Sequence, residues 1–506
     1  VGIQKYGEAA AIVVLYMFSL LLESKSTDKA RQALQDLLKF TPLTATVKRN
    51  GREVSIPAEQ INVSEIIVIR PGERLPLDGD VVSGSSSMDQ SPITGESMPV
   101  AKRTGDTVFA GSFNQLGTLD VRVTKIATDS TLARIIHLVE DAQSKKAPMQ
   151  SFVERFALYY TPTVFALAIL VAAVPPLAFG AGFLDWFYRA LVLLVIACPC
   201  AFVISTPVSL FSALTNAARH GVLLKGGKHL ETLAKVRAVA FDKTGTLTRG
   251  KPVVTDILSL NGMPLNEILR VASSVELKSE HLLAEALLVK AHESGISVSG
   301  AQVQEFTAIA GRGIRANIDG KTFVVGNHQL IEDMGVCSPE VEEVLQRLEL
   351  QGKTVLVLSD ERSVLGVIAV ADRIRAESAM AVTELRRLGV KKVVLLTGDN
   401  EAIASATATE LSLDEVKAQL LPQEKLQAVQ ELKSRHAPVV MVGDGINDAP
   451  ALAAADVGIA MGRAGSDTAL ETADVVLMSD NIAKVPYAIA LGKRTLRIIK
   501  QNIALA

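Results

Sequence analysis

Two stretches of this 506-residue chain carry no charged side chain: 156–184, between Arg155 and Asp185, and 190–218, between Arg189 and Arg219. Each exceeds the roughly 20 residues that cross a bilayer core as a helix. Only Asp185-Trp186-Phe187-Tyr188-Arg189 separates them, so the two runs are predicted to form a hairpin with its turn there. What precedes and follows the hairpin then lies on one side of the membrane. Lys145, Lys146 and Arg155 flank one arm and Arg219, Lys225 and Lys228 the other, which places both arms in the cytoplasm. Trp186 and Tyr188 suit the opposite interface. A shorter apolar stretch, Ala9–Leu22, lies between Glu8 and Glu23. No small-residue cleavage site follows it, so it reads as a further span, not a signal sequence.

Composition agrees with membrane segments joined to ordinary soluble domains. The chain is 48% hydrophobic and only 21% charged, against about 25% charged for a typical soluble domain. Lys and Arg total 52 against 54 Asp and Glu, a net charge of −2. That balance argues against a basic nucleic-acid binder and against an acidic disordered tail. Three Cys rule out a disulfide scaffold. The chain begins at Val1 and ends in Ile503-Ala504-Leu505-Ala506, so both ends read as cut.

Two soluble blocks remain. Residues 41–145 read as short alternating strands (Thr44–Val47, Glu65–Ile69, Leu119–Val123) with turns at Pro71-Gly72 and Asp78-Gly79. Residues 225–490 alternate apolar strands with helical patterns, the signature of a parallel α/β sheet. After 490 the pattern is helical and basic and turns apolar at Ile503, which reads as the start of another membrane helix.

The chemistry gathers at strand ends. Val236–Phe241 runs into Asp242-Lys243-Thr244-Gly245-Thr246. An acid at the carboxyl end of a buried strand sits where open α/β sheets bind ligands. It can attack a phosphoryl group to form an acyl phosphate. Val393–Leu396 leads likewise into Thr397-Gly398-Asp399, and Val439–Val442 into Gly443-Asp444-Gly445-Ile446-Asn447-Asp448-Ala449-Pro450. Three carboxylate-bearing strand ends on one edge would build a site for Mg²⁺ and phosphate.

These motifs resemble the P-type ATPases, ion pumps that pass through an aspartyl phosphate, and the resemblance covers nearly the whole chain. It implies a multidomain membrane protein with α-helical transmembrane segments. A β-rich actuator domain, a doubly wound, haloacid-dehalogenase-like phosphorylation domain and an inserted α+β nucleotide-binding domain complete the expected fold class. The implied division is a membrane helix and stalk at 1–40, the actuator at 41–145 and a membrane hairpin at 146–224. The phosphorylation domain would occupy 225–251 and 369–490, with the nucleotide domain at 252–368 and a further membrane helix starting in 491–506. Asp242 would be phosphorylated by ATP. Asp444 would hold Mg²⁺ with Asp242 and the backbone of Thr244, and Lys425, in Leu421-Pro422-Gln423-Glu424-Lys425, would contact the phosphoryl group. Lys243, Thr397, Gly398, Asp399, Asn447 and Asp448 complete the implied catalytic set. Thr94-Gly95-Glu96-Ser97 resembles the actuator loop, in which Glu96 would position the water that hydrolyses the phosphoenzyme. Carrying that acid on a separate domain ties hydrolysis to a conformational step.

Glu276, the run Ser279-Glu280-His281-Leu282, Gly311-Arg312-Gly313 and Gly326-Asn327 resemble the nucleotide site of the heavy-metal branch. There the acids and His281 would flank the adenine, and the glycines would let backbone approach the nucleotide. The chain departs from the usual Pro after that His, having Leu282. The other six His are scattered without ligand spacing, and Cys337, alone in the insertion, reads as structural or inert. Cys198-Pro199-Cys200 lies in the second apolar run. Pro opens the helix turn, and two soft sulfurs there suit Zn²⁺, Cd²⁺, Pb²⁺ or Cu⁺ over alkali or Ca²⁺ ions. The following Ala201–Pro207 looks more like the divalent exporters than the Cu⁺ exporters.

The expected function is ATP-driven export of a soft divalent heavy-metal ion, with ATP and Mg²⁺ as cofactors and membrane lipid as surroundings. No nucleic-acid partner is expected and the oligomeric state is left open. The protein would be integral to the plasma (inner) membrane, its soluble domains cytoplasmic. Alternatives are a Cu⁺ exporter of the same family, a membrane-tethered phosphatase without transport and a non-catalytic metal-binding protein.

Overall fold

The computed structural model describes residues 44–49, 52–96, 98–145, 147–197, 200–277, 279, 282–298, 303–309, 312–444, 448–462 and 467–505, together with 10, 13, 14, 17, 18, 21, 24, 25 and 42. The chain divides into two compact units: Val1–Lys235 with Gly462–Asp480 and Tyr487–Ala506, and Val236–Met461 with Asn481–Pro486.

In the first unit, six antiparallel strands run in the order Arg52–Pro57, Thr44–Arg49, Ile66–Ile69, Leu119–Val123, Gly79–Ser83, Thr107–Val108. Period-two patterning sets their faces. Leu119, Val121 and Val123 are buried and Arg122 between them is exposed. With Val47, Ile67, Leu75 and Leu77 they form the core of this block. Strands therefore form where alternation predicts them. The turn predicted at Asp78-Gly79 does not form. Asp78 is buried, and its carboxylate accepts hydrogen bonds from the Ala110 and Thr131 amides at 2.8 and 2.7 Å and from the Thr131 hydroxyl at 2.7 Å. A buried carboxylate needs such donors, and Asp78 uses them to fasten the start of helix Thr131–Ser144 to the sheet.

The apolar hairpin also lies in this unit, with its turn displaced from the predicted position. Helix Pro148–Phe179 ends at Gly180 in a left-handed conformation (φ 65°), and Gly182 caps the next helix, Phe183–Ile196. Asp185–Arg189 are therefore the first turns of a helix and not the loop. Glycine decides the position because it alone adopts the left-handed cap without a Cβ penalty; a charged residue merely tolerates the interface. The second apolar run is two helices, Phe183–Ile196 and Cys200–Arg219. Cys198 and Pro199, between them, lie outside the described residues, as does the side chain of Cys200. Among the described residues one helix, within the stretch Thr131–Phe179, is long and apolar enough to cross a membrane, with a mean hydropathy of 2.1 in its most apolar window. Those positions of Ala9–Leu22 that are described are helical and exposed, and the basic tail forms helix Lys484–Leu505.

In the second unit, five parallel strands run in the order Val457–Met461, Val439–Gly443, Ala238–Asp242, Lys392–Leu396, Glu415–Lys417. From Ala238–Asp242 the chain builds outward on one side through Lys392–Leu396 and Glu415–Lys417. It then crosses to Val439–Gly443 on the other side. The order reverses beside Ala238–Asp242, and such a switch point leaves a crevice at the carboxyl ends of the strands. All five residues Ala238–Asp242 are buried, the uniform pattern of a parallel strand covered on both faces.

Between the first and second of these strands an antiparallel sheet is inserted. Its order is Thr248–Ser259, Val364–Ile374, Thr354–Ser359, Lys321–Gly326, Gly313–Ile318, Val303–Ile309. Its two faces carry separate cores. Leu356 and Leu358 pack with helix Leu265–Glu276, whereas Val355 and Val357 pack with helix Pro339–Leu350.

Candidate active site

Asp242 ends the central strand and is buried. Lys425, in the first turn of helix Pro422–His436, reaches across the strand ends. Its Nζ donates to Asp242 Oδ1 at 2.5 Å and to Asp448 Oδ1 at 2.8 Å. Asp448 immediately precedes helix Ala449–Ala454, just beyond strand Val439–Gly443. Three residues distant in sequence are thus one hydrogen-bonded group at the switch point.

Its electrostatics are unbalanced. Burial, and then the Asp448 charge, push the Asp242 carboxyl up to about 7 although Lys425 draws it down. Burial likewise raises Asp448, again against Lys425, and Asp444 adds to both. Burial disfavours the Lys425 ammonium, but the two carboxylates more than offset this and hold it charged. One ammonium bridges two buried carboxylates, and Asp448 Oδ2 is buried without a hydrogen-bond partner. Hard oxygen donors with surplus negative charge fit a divalent cation such as Mg²⁺.

Lys243, next to Asp242, is buried and ion-paired with Asp399. The Thr397 hydroxyl donates to Asp399 Oδ2 at 3.0 Å, and the Asp399 amide donates to the same hydroxyl at 3.1 Å. The second strand end is therefore tied to the first through Lys243. Thr244 is exposed, and Gly245 turns the chain at φ 75° beside the Asp444 side chain. Asn447 lies outside the described residues.

Three residues that the sequence did not single out hold this loop. Arg375 Nε donates to the Thr246 carbonyl at 3.1 Å and its Nη2 to the Gly245 carbonyl at 3.0 Å. The Thr248 hydroxyl lies 2.5 Å from Asp372 Oδ2, which also accepts from the Gly250 amide at 3.2 Å. Asp372-Arg373-Ile374-Arg375 ends the strand that leaves the insertion. Its place was a signal: a charged cluster where the chain re-enters a sheet that bears chemistry.

In the first unit, Thr94 ends the short helix Ser91–Thr94, and Glu96, half-buried, donates its amide to the Thr94 hydroxyl at 3.3 Å. Gly95 is left-handed (φ 67°) and lies against backbone. A Cβ there would meet the His220 carbonyl carbon at 2.4 Å, and one on Gly221 the Thr94 carbonyl oxygen at 2.1 Å.

In the insertion, Glu276 is buried, burial raises its pKa, and its Oε2 has no hydrogen-bond partner. A Cβ on Gly313 would meet the Val325 carbonyl oxygen at 2.3 Å, and one on Gly326 the Arg312 carbonyl oxygen at 2.8 Å. Asn327 Oδ1 accepts from the Leu330 amide at 3.0 Å and so caps helix His328–Asp333. Gly313 and Gly326 thus lie in close backbone contact, and Asn327 at a helix cap. Glu280, His281 and Gly311 lie outside the described residues. His328 and Cys337, read from sequence as scattered and inert, are instead neighbours: Sγ lies 3.9 Å from Nε2.

Residues 39–140 match the P-type ATPase actuator domain, and residues 236–456 and 424–489 match haloacid dehalogenase-like hydrolases. The chain is 46% identical over its whole length to a cadmium-transporting ATPase of Staphylococcus aureus, spanning 70% of that protein. It is 42% identical, again over its whole length, to a zinc-transporting ATPase of Synechocystis sp., spanning 69% of it. Among solved structures, a zinc-transporting PIB-type ATPase in the E2.Pi state superposes with a TM-score of 0.62 at 41% identity. That match covers 96% of this chain and 79% of the other. The chain belongs to the P-type ATPases, integral membrane enzymes that couple ATP hydrolysis to transport.

Proposed function

We propose that the chain exports a soft divalent heavy-metal ion, Zn²⁺, Cd²⁺ or Pb²⁺, through an aspartyl phosphate on Asp242. The observation that carries this reading is the Lys425 bridge between Asp242 and Asp448 at the sheet's switch point. A carboxylate acts as nucleophile only when ionised, and Lys425 favours the ionised form of Asp242, partly offsetting burial. On approach of the ATP γ-phosphoryl group, the same ammonium and Lys243 would neutralise its oxygens. Arg375 would hold the loop Lys243–Leu247 in position through its carbonyls, leaving the exposed Thr244 free to meet phosphate. Mg²⁺ would be held by Asp242, Asp444 and the Thr244 backbone, where it would supply charge neutralisation to the transferring phosphoryl group.

We assign the domains as 1–40, 41–145 (actuator), 146–224 (membrane hairpin), 225–251 with 369–490 (phosphorylation), 252–368 (nucleotide) and 491–506. ATP would sit in the nucleotide domain near Glu276, whose unpartnered buried oxygen offers an acceptor for the adenine amino group. Glu96 would orient the hydrolytic water. Cys198 and Cys200, as thiolates, would bind the cargo, their charge offset by the divalent ion. The relatives named for cadmium and zinc transport support that choice over Cu⁺. The soluble domains would be cytoplasmic and the membrane the plasma membrane.

The test is phosphoenzyme formation from γ-labelled ATP in membranes, with and without Zn²⁺, Cd²⁺, Pb²⁺ or Cu⁺. Labelling stimulated by the divalent ions, lost in Asp242→Asn and no longer stimulated in Cys198→Ala, is the expected result. Label that survives Asp242→Asn would refute the assignment. Label indifferent to metal and to Cys198→Ala would favour a phosphatase.

A further inference from the structure

The insertion carries a cluster that the pumping cycle above does not use. His328 opens helix His328–Asp333, Cys337 lies in the link, and Glu342 is in the first turn of helix Pro339–Leu350. His328 Nε2 is 2.6 Å from Glu342 Oε2, and Cys337 Sγ is 3.9 Å from that nitrogen and 3.7 Å from that oxygen. Glu332 Oε1, one helical turn along, is 3.8 Å from the same nitrogen.

We propose that His328, Cys337 and Glu342 form a second binding site for a Zn²⁺- or Cd²⁺-class cation, outside the membrane, with Glu332 or water as the fourth ligand.

Tetrahedral N, O and S ligands at about 2.0–2.3 Å from Zn²⁺ stand roughly 3.2–3.7 Å from one another. The two sulfur separations are already close to that, and the His328–Glu342 hydrogen bond has only to open by less than about 1 Å. The donor set is mixed. One sulfur, one imidazole and carboxylate suit a borderline divalent ion, whereas Cu⁺ favours sulfur ligands and Mg²⁺ oxygen ligands. The backbone that presents these ligands is fixed. Ile331, Val341 and Leu345 are buried in one core, and Val336 and Cys337 pack against it. The carboxylate is held from behind, because Gln346 Nε2 donates to Glu342 Oε1 at 2.6 Å. Such an outer partner orients a ligand. All three side chains remain partly exposed, so an ion can enter from solvent. On binding, the Cys337 S–H bond breaks, sulfur keeps the electron pair for the metal, and the proton goes to solvent.

The experiment uses the full chain in detergent with Cys198→Ala and Cys200→Ala, which leaves Cys337 as its one thiol. Cd²⁺ alone is titrated, and the ultraviolet thiolate-to-Cd²⁺ absorption and bound Cd²⁺ at equilibrium are read. The expected result is one tightly held Cd²⁺ with that absorption. Adding Cys337→Ser should remove the absorption, and adding His328→Gln should weaken binding by at least the about 10–100-fold that loss of even an outer-shell partner costs. Unchanged thermal unfolding of the Cys337→Ser chain without metal excludes misfolding as the cause. Absence of the absorption in the Cys198/Cys200 variant, or Cd²⁺ affinity indifferent to His328→Gln, would overturn the site. Neither result bears on transport, because the cargo cysteines are already removed.

Discussion

Asp242 and Glu96 are two acids proposed to act on one phosphoryl group, and the chain holds them in opposite ways. Asp242 is buried at the end of a strand whose every residue is buried, and its charge is set by that burial, then by Asp448 and Lys425. Glu96 is half-buried on a loop, positioned by backbone: a left-handed Gly95 packed against His220-Gly221. A nucleophile must be ionised in a dry site, so its surroundings are built from charge. An acid that only orients water needs reach, so its surroundings are built from shape. The two should therefore fail differently when changed.

The largest effect is expected from Asp242→Asn, which removes the attacking oxygen. Acid-quenched phosphoenzyme should fall more than about a thousandfold, with turnover. Glu96→Gln should lower turnover by about 10²–10⁴-fold. Yet its phosphoenzyme should accumulate and decay slowly in a chase with unlabelled ATP. If both variants lose label alike, the two acids do not divide the reaction, and the contrast fails. Lys425→Met comes next. With the bridge gone, Asp242 and Asp448 face each other in a buried site, and phosphorylation should slow by about 10²–10³-fold. Its signature is a labelling rate that recovers as pH is raised, because both carboxyls then ionise at higher pH than with Lys425 present.

What could be read from sequence follows the same division. Asp242, Thr397 and Asp399 were legible because a buried strand announces itself by an apolar run and its end by the residue that breaks it, whereas Asp448, beyond the strand end at Gly443, came with the family resemblance. Lys425 needed the family resemblance, since a lysine in the first turn of a helix carries no mark of where its ammonium points. Asp372 and Arg375 escaped because their partners are backbone carbonyls, an amide and a hydroxyl some 120–130 residues away in sequence. His328 and Cys337 escaped for a related reason: a ligand set drawn from a helix start, a link and a second helix has no fixed spacing. The membrane turn was misplaced because charge was used to find it where glycine conformation decides.

Backbone shape around Glu96 gives a smaller prediction. Gly95→Ala places a Cβ at a left-handed residue and 2.4 Å from the His220 carbonyl carbon. Gly105 has a similar positive φ, 94°, but open space around its Cβ position. Gly105→Ala should cost only backbone strain, about 1 kcal/mol, whereas Gly95→Ala should cost about 2–3 kcal/mol and slow phosphoenzyme decay. Equal unfolding midpoints for the two variants would show that the contact at His220-Gly221 does not position the loop.

The smallest effect isolates charge from shape. Without divalent cation, Asp242 titrates near 7, well above an ordinary aspartate, because burial and then Asp448 oppose its ionised form. The folded state thus binds more protons than the unfolded chain between the ordinary aspartate range and 7. Stability from this group is complete in acid and is lost as pH rises through that window. From pH 6 to pH 8 the loss is about 1.4 kcal/mol, equivalent to one pKa unit. The raised Lys425 acts in the same direction, but only at the alkaline end, above the ordinary lysine range and outside this interval. In chelator, the thermal midpoint of the wild-type chain should therefore fall by a few degrees between pH 6 and pH 8. Asp242→Asn, which cannot ionise, should flatten that slope, and Mg²⁺ should flatten it in the wild type by stabilising the ionised carboxylates. A slope that is the same in Asp242→Asn would mean that Asp448 alone holds the proton, and that Asp242 is already ionised before Mg²⁺ arrives.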